Sequence, residues 1–405
     1  MKILQINKYF YRRAGAETYM FDLMSALEGA GHEVIHFSMH HPKNAPTPWS
    51  EYFVSEIDFR KPGGTLRKAG RILYSLEAAN NLEALLKIVK PDVAHLHNIY
   101  QHLSPSILTV LKNHKIPVVQ TLHDYKLMCP NYKMFTQGSI CERCIGRRFR
   151  NAAIHQCIND AFLPSLGAAV ELNFHKALQF YERGVDLFIS PSKFMMEKFL
   201  EWGEPPEKIV QLPYLVNVDE YAPHPEHENY LLYFGRLAVE KGLLTLLNAM
   251  QGLPTVQLKI VGVGPQMNEL KKYVDDQVLA KVEFLGFLEG DELKETVANA
   301  RAVVLPSEWY ENYPLAILEA MLMEKIVIAS RVGGVPEQIT DKETGFLFTP
   351  KDVKGLRETI RAVWDLPPDE ASQVGGRARA WAEIHHEPRQ HLRALLGLYN
   401  RVISG

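Results

Sequence analysis

The sequence predicts an α/β protein with two doubly wound parallel sheets, and two observations lead to that fold class. Short apolar runs rich in β-branched residues alternate with longer stretches of helical periodicity, which is typical of parallel strands covered on both faces. The length of 405 residues exceeds what one hydrophobic core usually supports, so two domains are expected.

The alternation occurs twice, on either side of an irregular segment. In the first half, strands are predicted at residues 2–6, 33–37, 93–96, 118–122, 187–189 and 208–212. In the second half, they are predicted at residues 230–234, 257–261, 281–284, 302–305, 326–329 and 345–348. Residues 213–229 carry prolines, acids and histidines without periodicity and are interpreted as a linker. A ligand site between two such domains is the natural expectation.

Composition narrows the class of protein. The net charge of −2 argues against nucleic acid as a partner. No apolar run reaches the roughly 18 residues of a membrane span, and the apolar start at residues 1–6 is too short for a signal peptide, so a cytoplasmic location is predicted. Two basic stretches, at residues 60–71 and 147–150, would suit the inner face of the cytoplasmic membrane as a peripheral contact; an ordinary solvated surface is the alternative.

The turn after the predicted strand 230–234 carries the first chemical signal. Gly235 and Gly242 bracket two cations, Arg236 and Lys241, ahead of an apolar helix. Glycines let the backbone approach a ligand, a helix N-terminus favours an anion, and Arg and Lys add formal positive charge. A phosphate site is one interpretation and a solvated basic turn is the other.

Two more strand ends carry related signals. Gly262 and Gly264 follow the strand at 257–261, where a plain tight turn is the alternative to a nucleotide contact. After the strand at 302–305, Pro314 predicts the start of a helix, with Glu311 just before it and Glu319 inside it. Both carboxylates can accept hydrogen bonds from sugar hydroxyls, whereas a surface carboxylate is the alternative for Glu319.

In this order, the motifs Gly235-Arg236, Glu240-Lys241-Gly242, Gly262-Val263-Gly264, Glu311-x7-Glu319 and Gly333-Gly334 resemble those of the retaining glycosyltransferases of family 4. The resemblance covers nearly the whole chain. It implies the GT-B architecture, in which two Rossmann-like domains face each other across a cleft and a C-terminal helix crosses back to the N-terminal domain. The implied domains are residues 1–213 with about 378–405, which bind the acceptor, and residues 214–377, which bind the donor.

The resemblance also implies roles for single residues. Arg236 and Lys241 would hold the donor diphosphate, Glu311 the hydroxyls of the transferred sugar, and Glu319 the ribose. The backbone of the segment before and into the helix would face the sugar and phosphates, and the segment containing Phe287 would meet the base. That backbone segment comprises Asn312, Tyr313, Pro314 and Leu315. Where the family often has Glu-x-Phe-Gly, this chain has Glu311-Asn312-Tyr313-Pro314, so the backbone fit to the sugar is expected to differ.

The first half agrees with the resemblance. Gly15 and Glu17 match a family turn that closes over the diphosphate, although Ala14 replaces its first glycine. His123 and Asp124 follow a predicted strand end, where His123 would line the sugar pocket.

The implied reaction moves a sugar from a UDP- or GDP-linked donor to a saccharide or lipid-linked saccharide with retention of configuration. Arg236, Lys241, Glu311 and His123 would be its catalytic residues, without a catalytic metal or other cofactor. Two alternatives are a sugar-nucleotide epimerase of the same fold and a non-catalytic sugar-nucleotide-binding subunit.

All four cysteines, Cys129, Cys141, Cys144 and Cys157, lie in one window of the first half. Clustered thiols in a reducing cytosol allow a structural zinc site, and unliganded thiols are the equal alternative. A subset of transferases that build bacterial surface polysaccharides looks similar here, with Cys-Pro after His-Asp-Tyr.

Overall fold

The computed structural model describes residues 1–57 and 65–405, with the side chains of residues 65–67 left undescribed. The described chain divides into two compact units. Unit 1 comprises Met1–Thr136, Cys141–Leu215 and Pro388–Gly405, and unit 2 comprises Gln137–Ile140 and Val216–Glu387.

Unit 1 contains a six-stranded parallel sheet in the order β2-β1-β3-β4-β7-β8. The strands in this half of the chain are β1 Lys2–Ile6, β2 Glu33–Phe37, β3 Val93–Leu96, β4 Val118–Thr121, the short β5 Phe135–Thr136 and β6 Ser139–Ile140, β7 Leu187–Ser190 and β8 Ile209–Gln211. The helices are α1 Gly15–Gly29, α2 Thr65–Leu73, α3 Leu76–Ile88, α4 Ser106–Asn113, α5 Arg150–Ile154, α6 Phe162–Ala177, α7 Phe180–Gly184 and α8 Lys193–Glu201.

Unit 2 contains a second six-stranded parallel sheet, in the order β11-β10-β9-β12-β13-β14. Its strands are β9 Tyr230–Phe234, β10 Gln257–Val261, β11 Val282–Gly286, β12 Ala302–Leu305, β13 Ile326–Ser330 and β14 Phe346–Phe348. The helices of the second half are α9 Leu243–Met250, α10 Met267–Asp276, α11 Gly290–Ala298, α12 Leu315–Leu322, α13 Val335–Gln338, α14 Val353–Trp364, α15 Pro368–His385 and α16 Pro388–Ser404. Two doubly wound parallel sheets confirm the predicted fold class.

The central strands of unit 2 are buried on both faces of the sheet. All five residues of β9 are buried. Alternate residues Leu231 and Tyr233 join the same core cluster as Leu258 and Ile260 of β10, and apolar residues of α9 and α14 complete it.

The C-terminal helix returns to unit 1, as predicted. Although α15 belongs to unit 2, α16 belongs to unit 1 and contacts α1 and β4. Tyr399 of α16 is fully buried, and its hydroxyl lies 2.6 Å from Nδ1 of His95 on β3.

The strand order reverses beside the first strand of each sheet. In unit 2, β9 lies between β10 and β12; α9 connects it to β10, whereas β12 follows β11 through α11. The β9–β10 ladder continues to Phe234, whereas the β9–β12 ladder pairs Leu231 with Ala302 and Leu232 with Val303. β9 and β12 therefore stop pairing before their carboxyl ends, and this switch point is the crevice at which doubly wound sheets bind ligands.

A buried lysine before β13 yields a test of stability. Lys325 is buried, and its ammonium donates to the carbonyl oxygen of Glu226 at 2.9 Å. Burial lowers the pKa of Lys325 from 10.5 to about 8. Because the folded pKa lies below the unfolded one, the unfolded state binds more protons between these pH values, and stability rises with pH there.

We expect Lys325→Met to raise the free energy of unfolding at neutral pH by about 1 kcal/mol, since it removes a desolvated charge. Urea unfolding at neutral pH and near pH 10 measures this, and the gain should shrink at the higher pH as the wild-type lysine loses its proton. Lys354→Met, at an exposed lysine paired with Glu358, is the control. A loss of stability at both pH values would contradict the prediction.

Candidate active site

Four loops meet at the carboxyl edge of the unit 2 sheet, and glycines permit their contacts. A Cβ atom on Gly262 would lie 1.9 Å from the carbonyl oxygen of Gly235, and one on Gly242 would lie 1.9 Å from that of Pro306. A Cβ on Gly333 would lie 2.1 Å from the carbonyl oxygen of Glu311. No side chain fits at these distances, so the loops after β9, β10, β12 and β13 pack backbone against backbone.

The glycines that the sequence singled out in these loops therefore permit close packing of the backbone. Gly235 and Gly262 have φ values of +148° and +128°. A Cβ on Gly264 would lie 2.1 Å from the carbonyl oxygen of Leu237. The sequence predicted that the backbone at Gly235, Gly262 and Gly264 faces a ligand. In the structure, the lack of a side chain at Gly262 and Gly264 also lets the loops after β9 and β10 pack closely.

An ion pair joins the loops on either side of the crevice. Nζ of Lys241, after β9, lies 2.7 Å from Oε1 of Glu311, after β12. The hydroxyl of Ser307 donates to the same oxygen at 2.5 Å, and the ammonium lies 5.0 Å from the ring centre of Trp309. The amide of Gly334 donates to the carbonyl oxygen of Glu311 at 2.9 Å. Glu311 is thus buried and fixed through both its side chain and its backbone.

Arg236 is the more accessible cation of the site. Its side chain is 47% exposed and pairs with the buried Glu240, four residues further along the chain. The hydroxyl of Tyr233 donates to the carbonyl oxygen of Arg236 at 2.9 Å and so supports the turn. No ligand contact was predicted for Glu240, although this residue lies within the basic motif.

The loop after β12 ends in a helix start, as predicted. Pro314 is the N-cap residue of α12, and Asn312 and Tyr313 before it are buried. The hydroxyl of Tyr313 lies 3.1 Å from Nε2 of His386. The first amides of α12, from Leu315 onward, have no partner within the helix and carry its positive dipole end.

Two further predicted contacts lie on neighbouring elements. Glu319 is half-buried on α12, and Phe287 is exposed directly after β11. A hydroxyl-binding carboxylate and an exposed ring are both compatible with the roles that the resemblance implies.

In unit 1, Gly15 begins α1 and Glu17 lies in its first turn. Glu17 is buried and accepts from Nδ2 of Asn7 at 3.2 Å. Burial raises the pKa of Glu17, while the hydrogen bond from Asn7 and the charge of Lys8 oppose that rise. The carboxylate therefore stabilises the loop that follows β1.

His123 belongs to a chain of hydrogen bonds. The amide oxygen of Gln5 accepts from Nε2 of His97 at 2.8 Å, so Nδ1 of His97 accepts from Nε2 of His123 at 2.9 Å. Nδ1 of His123 accepts from the hydroxyl of Tyr214 at 2.7 Å. Burial lowers the pKa of His123 to about 3, so its ring is neutral. Both ring nitrogens are engaged, and a sugar could reach one only by replacing a partner.

Asp124 and Lys8 form a second polar group in unit 1. Oδ1 of Asp124 accepts from the amide of Lys126 at 2.9 Å. Burial raises the pKa of Asp124 and lowers that of Lys8, and the attraction between the two opposes both shifts. Lys8 and Tyr214 were not among the predicted site residues; the place of Lys8 directly after β1 was the available signal.

The four cysteines are free thiols. Cys144 and Cys157 pack with Phe149 and Ala169 in a small apolar cluster. Burial raises the pKa of Cys129 to about 11. Among the described residues, no three His, Cys, Asp or Glu side chains are arranged to hold a metal ion. Structural zinc therefore stays a prediction.

The structure describes only part of the two basic stretches for which a membrane contact was predicted. Residues 60–64 of the first basic stretch lie outside the described residues, whereas Arg147, Arg148 and Arg150 are exposed. Within the described ranges, every helix is too short or too polar to cross a bilayer.

Solved structures share this fold over the full chain. A sucrose-phosphate synthase from Thermosynechococcus elongatus superposes with a TM-score of 0.75 at 19% identity, covering 100% of this chain and 99% of that one. The Anabaena protein Alr3699/HepE, solved in complex with UDP and glucose, gives 0.69 at 19% identity and 99% coverage of both chains. Together with the two sheets, these likenesses define a protein of the GT-B architecture.

Family models give the particular membership. The model described as Glycosyltransferase Family 4 matches residues 13–220, and that described as Glycosyl transferases group 1 matches residues 219–381. The chain therefore belongs to glycosyltransferase family 4, and it is a glycosyltransferase.

Curated relatives agree with this membership. The sulfoquinovosyl transferase SQD2 of Arabidopsis thaliana is 28% identical over 76% of this chain and 56% of its own length. An uncharacterized 42.6 kDa protein in the cps region of Klebsiella pneumoniae is 26% identical over 83% of this chain and 87% of its own length. The putative colanic acid biosynthesis glycosyltransferase WcaL of Escherichia coli is 27% identical over 53% of this chain.

Proposed function

We propose that this glycosyltransferase moves a sugar from a nucleoside diphosphate sugar to a saccharide or lipid-linked saccharide, with retention of configuration and without a catalytic metal. The observation that carries the proposal is the contact between Lys241 and Glu311 beside the exposed Arg236, at the crevice between β9 and β12. Cations suit a diphosphate, and a fixed carboxylate suits sugar hydroxyls.

The spacing of these groups matches a single donor molecule. In a nucleoside diphosphate sugar, the sugar is bonded directly to the distal phosphate, so both parts need neighbouring partners. Lys241 and Glu311 are 2.7 Å apart, and the amide end of α12 begins at Leu315, close along the same loop. These groups can contact the sugar and its phosphate at one time, with Glu319 assigned to the ribose and Phe287 to the base.

We assign the catalysis to electrostatic stabilisation of the leaving diphosphate. The bond between the anomeric carbon and the phosphate oxygen breaks, and the acceptor oxygen bonds to the same face of the sugar. The leaving phosphate takes the proton of the acceptor hydroxyl. Arg236 and Lys241 stabilise the negative charge that grows on the leaving diphosphate. Glu311 holds the sugar.

Relatives support a choice of substrates. Alr3699/HepE was solved with UDP and with UDP-glucose, and a Corynebacterium glutamicum relative is named a GDP-mannose-dependent alpha-mannosyltransferase. We therefore assign a UDP- or GDP-linked donor. The name of the WcaL relative, which refers to colanic acid biosynthesis, supports a polysaccharide acceptor. We place the reaction at the cytoplasmic side of the membrane, as predicted from the sequence.

The test is a thermal-shift screen of the purified protein with UDP, GDP, ADP and TDP and their common sugar conjugates. One nucleotide should raise the melting temperature with the logarithm of its concentration. Arg236→Ala should weaken that affinity about tenfold, because charge-assisted contacts to phosphate are lost. Arg361→Ala, at an exposed arginine of α14, is the control and should bind normally. If no nucleotide raised the melting temperature, the proposed donor site would be withdrawn, and with it both the transfer reaction and the sugar-nucleotide-binding alternative.

A further inference from the structure

Helix α6 presents an uncharged apolar face to solvent. Leu163 is 75% exposed, Phe162 is 52% exposed and Val170 is 50% exposed. Further large apolar side chains on and around this face are also exposed: Leu166, Phe174, Leu178 and Ile154. Contiguous exposure of this kind is rare on a soluble monomer and marks an interaction site.

The apolar positions repeat at helical spacing. Residues 162, 166, 170, 174 and 178 are four apart. At 100° per residue, the exposed positions of α6 other than Pro164 cover an arc of about 140°. The other exposed positions in this arc are small or uncharged: Gly167, Asn173 and Ala177. No Lys, Arg, Asp or Glu among the described residues of α6 is exposed.

The charged residues of α6 lie on its inner face instead. Glu171 accepts from Nζ of Lys126 at 2.8 Å, with both side chains buried. Lys176 pairs with Glu182 at 2.8 Å and also with Glu204. A surface helix ordinarily places its charges outward and its apolar stripe inward. This arrangement is the opposite, so the outer face is suited to an apolar surrounding.

Exposed arginines lie in a chain segment that packs against α6. Phe149 packs with Ala169 and Leu172 of α6, which fixes the chain segment before α5 against the helix. The exposed arginines of this segment are Arg143, Arg147, Arg148 and Arg150. Of the nearby acids, Asp160 is exposed, whereas Glu142 pairs with Lys198.

We propose that the apolar face of α6 and this arginine segment dock the protein on the surface of an anionic lipid bilayer. Apolar side chains on one helix face enter the acyl boundary, while guanidinium groups at its edge bind lipid phosphates. Charge favours this occupant over a second copy of the chain, because a self-complementary contact would bring like-charged arginine segments together. The inference uses residues of unit 1 and stands independently of the donor site.

Flotation of the full chain with vesicles tests the proposal. Vesicles of equal parts phosphatidylcholine and phosphatidylglycerol should bind the protein, and vesicles of phosphatidylcholine alone should bind it less. The double variant Leu163→Gln/Val170→Gln should bind at least about tenfold more weakly, because two apolar side chains no longer insert. The pair Arg147→Gln/Arg148→Gln should also lose about tenfold and should reduce the salt dependence of binding.

Ile88→Gln is the matched control, since Ile88 is an apolar residue of α3 that is 65% exposed in the same unit. It should bind vesicles as the wild type does, and all variants should keep the wild-type melting temperature because the changed positions are exposed. Absence of wild-type binding to anionic vesicles would overturn the proposal. Binding unchanged by the α6 variant, or α6-dependent dimerisation without vesicle binding, would overturn it as well.

Discussion

Replacing Lys241 with alanine should lower turnover about a hundredfold to a thousandfold, as removal of one preorganised charge-stabilising group does in other enzymes. The leaving diphosphate would lose the cation that stands 2.7 Å from the sugar-binding carboxylate. The measurement is the rate of nucleoside diphosphate release with the donor identified by thermal shift. Because the charge on the leaving group grows in the transition state, kcat should fall more than the donor affinity.

Two further variants separate this effect from damage to the fold. Lys259→Ala removes a lysine of similar exposure, 20% against 23%, that pairs with Glu228, and it should leave turnover unchanged. Lys241→Ala leaves Glu311 buried without its cation, which costs stability. The double variant Lys241→Met/Glu311→Gln should regain that stability without regaining turnover. Full turnover in Lys241→Ala would refute the assigned role.

The strands could be predicted because their signal is local. A parallel strand covered on both faces is a short run of apolar, β-branched residues, and β1, β9 and β12 have the predicted limits to the residue. Where a strand end includes a polar residue or a glycine, the predicted limit differs from the observed one by one or two positions. For example, β11 was predicted to end at residue 284 and is observed to end at Gly286. The signal for the helix start at Leu315 is equally local, because Pro314 fixes its own backbone and restricts the residue before it.

The site was predictable as a set of strand ends but not as a set of contacts. Arg236, Lys241 and Glu311 follow strands that are neighbours in the sheet, so their common edge could be inferred. The pairing of Lys241 with Glu311 joins residues 70 positions apart and depends on how two loops pack. The bond between Tyr214 and His123 spans 91 positions, and no local pattern marks it. The apolar outer face of α6 also escaped prediction, because its charged residues lie on the buried side and its apolar residues on the outer side, the reverse of the usual pattern.

Gly262→Ala should destabilise the fold by about 3 kcal/mol or more and abolish donor binding. Gly262 has a φ of +128°, where side chains are strained, and its new Cβ would lie 1.9 Å from the carbonyl oxygen of Gly235. The collision is with backbone, so no rotamer change relieves it. The loops after β9 and β10 would have to separate, moving the turn that carries Arg236. Urea unfolding and nucleotide thermal shift measure the two effects.

Gly376→Ala supplies the matched comparison, because a Cβ at this position of α15 meets nothing within 4 Å. There alanine should raise stability by up to about 1 kcal/mol through its better helix propensity. Opposite signs from the same substitution in the same unit would tie the loss at Gly262 to the close approach of two loops rather than to the change of residue. If Gly262→Ala unfolded at the wild-type urea concentration and still bound the nucleotide, the loops would be able to separate freely. The glycine contacts would then not be what positions Arg236 at the crevice.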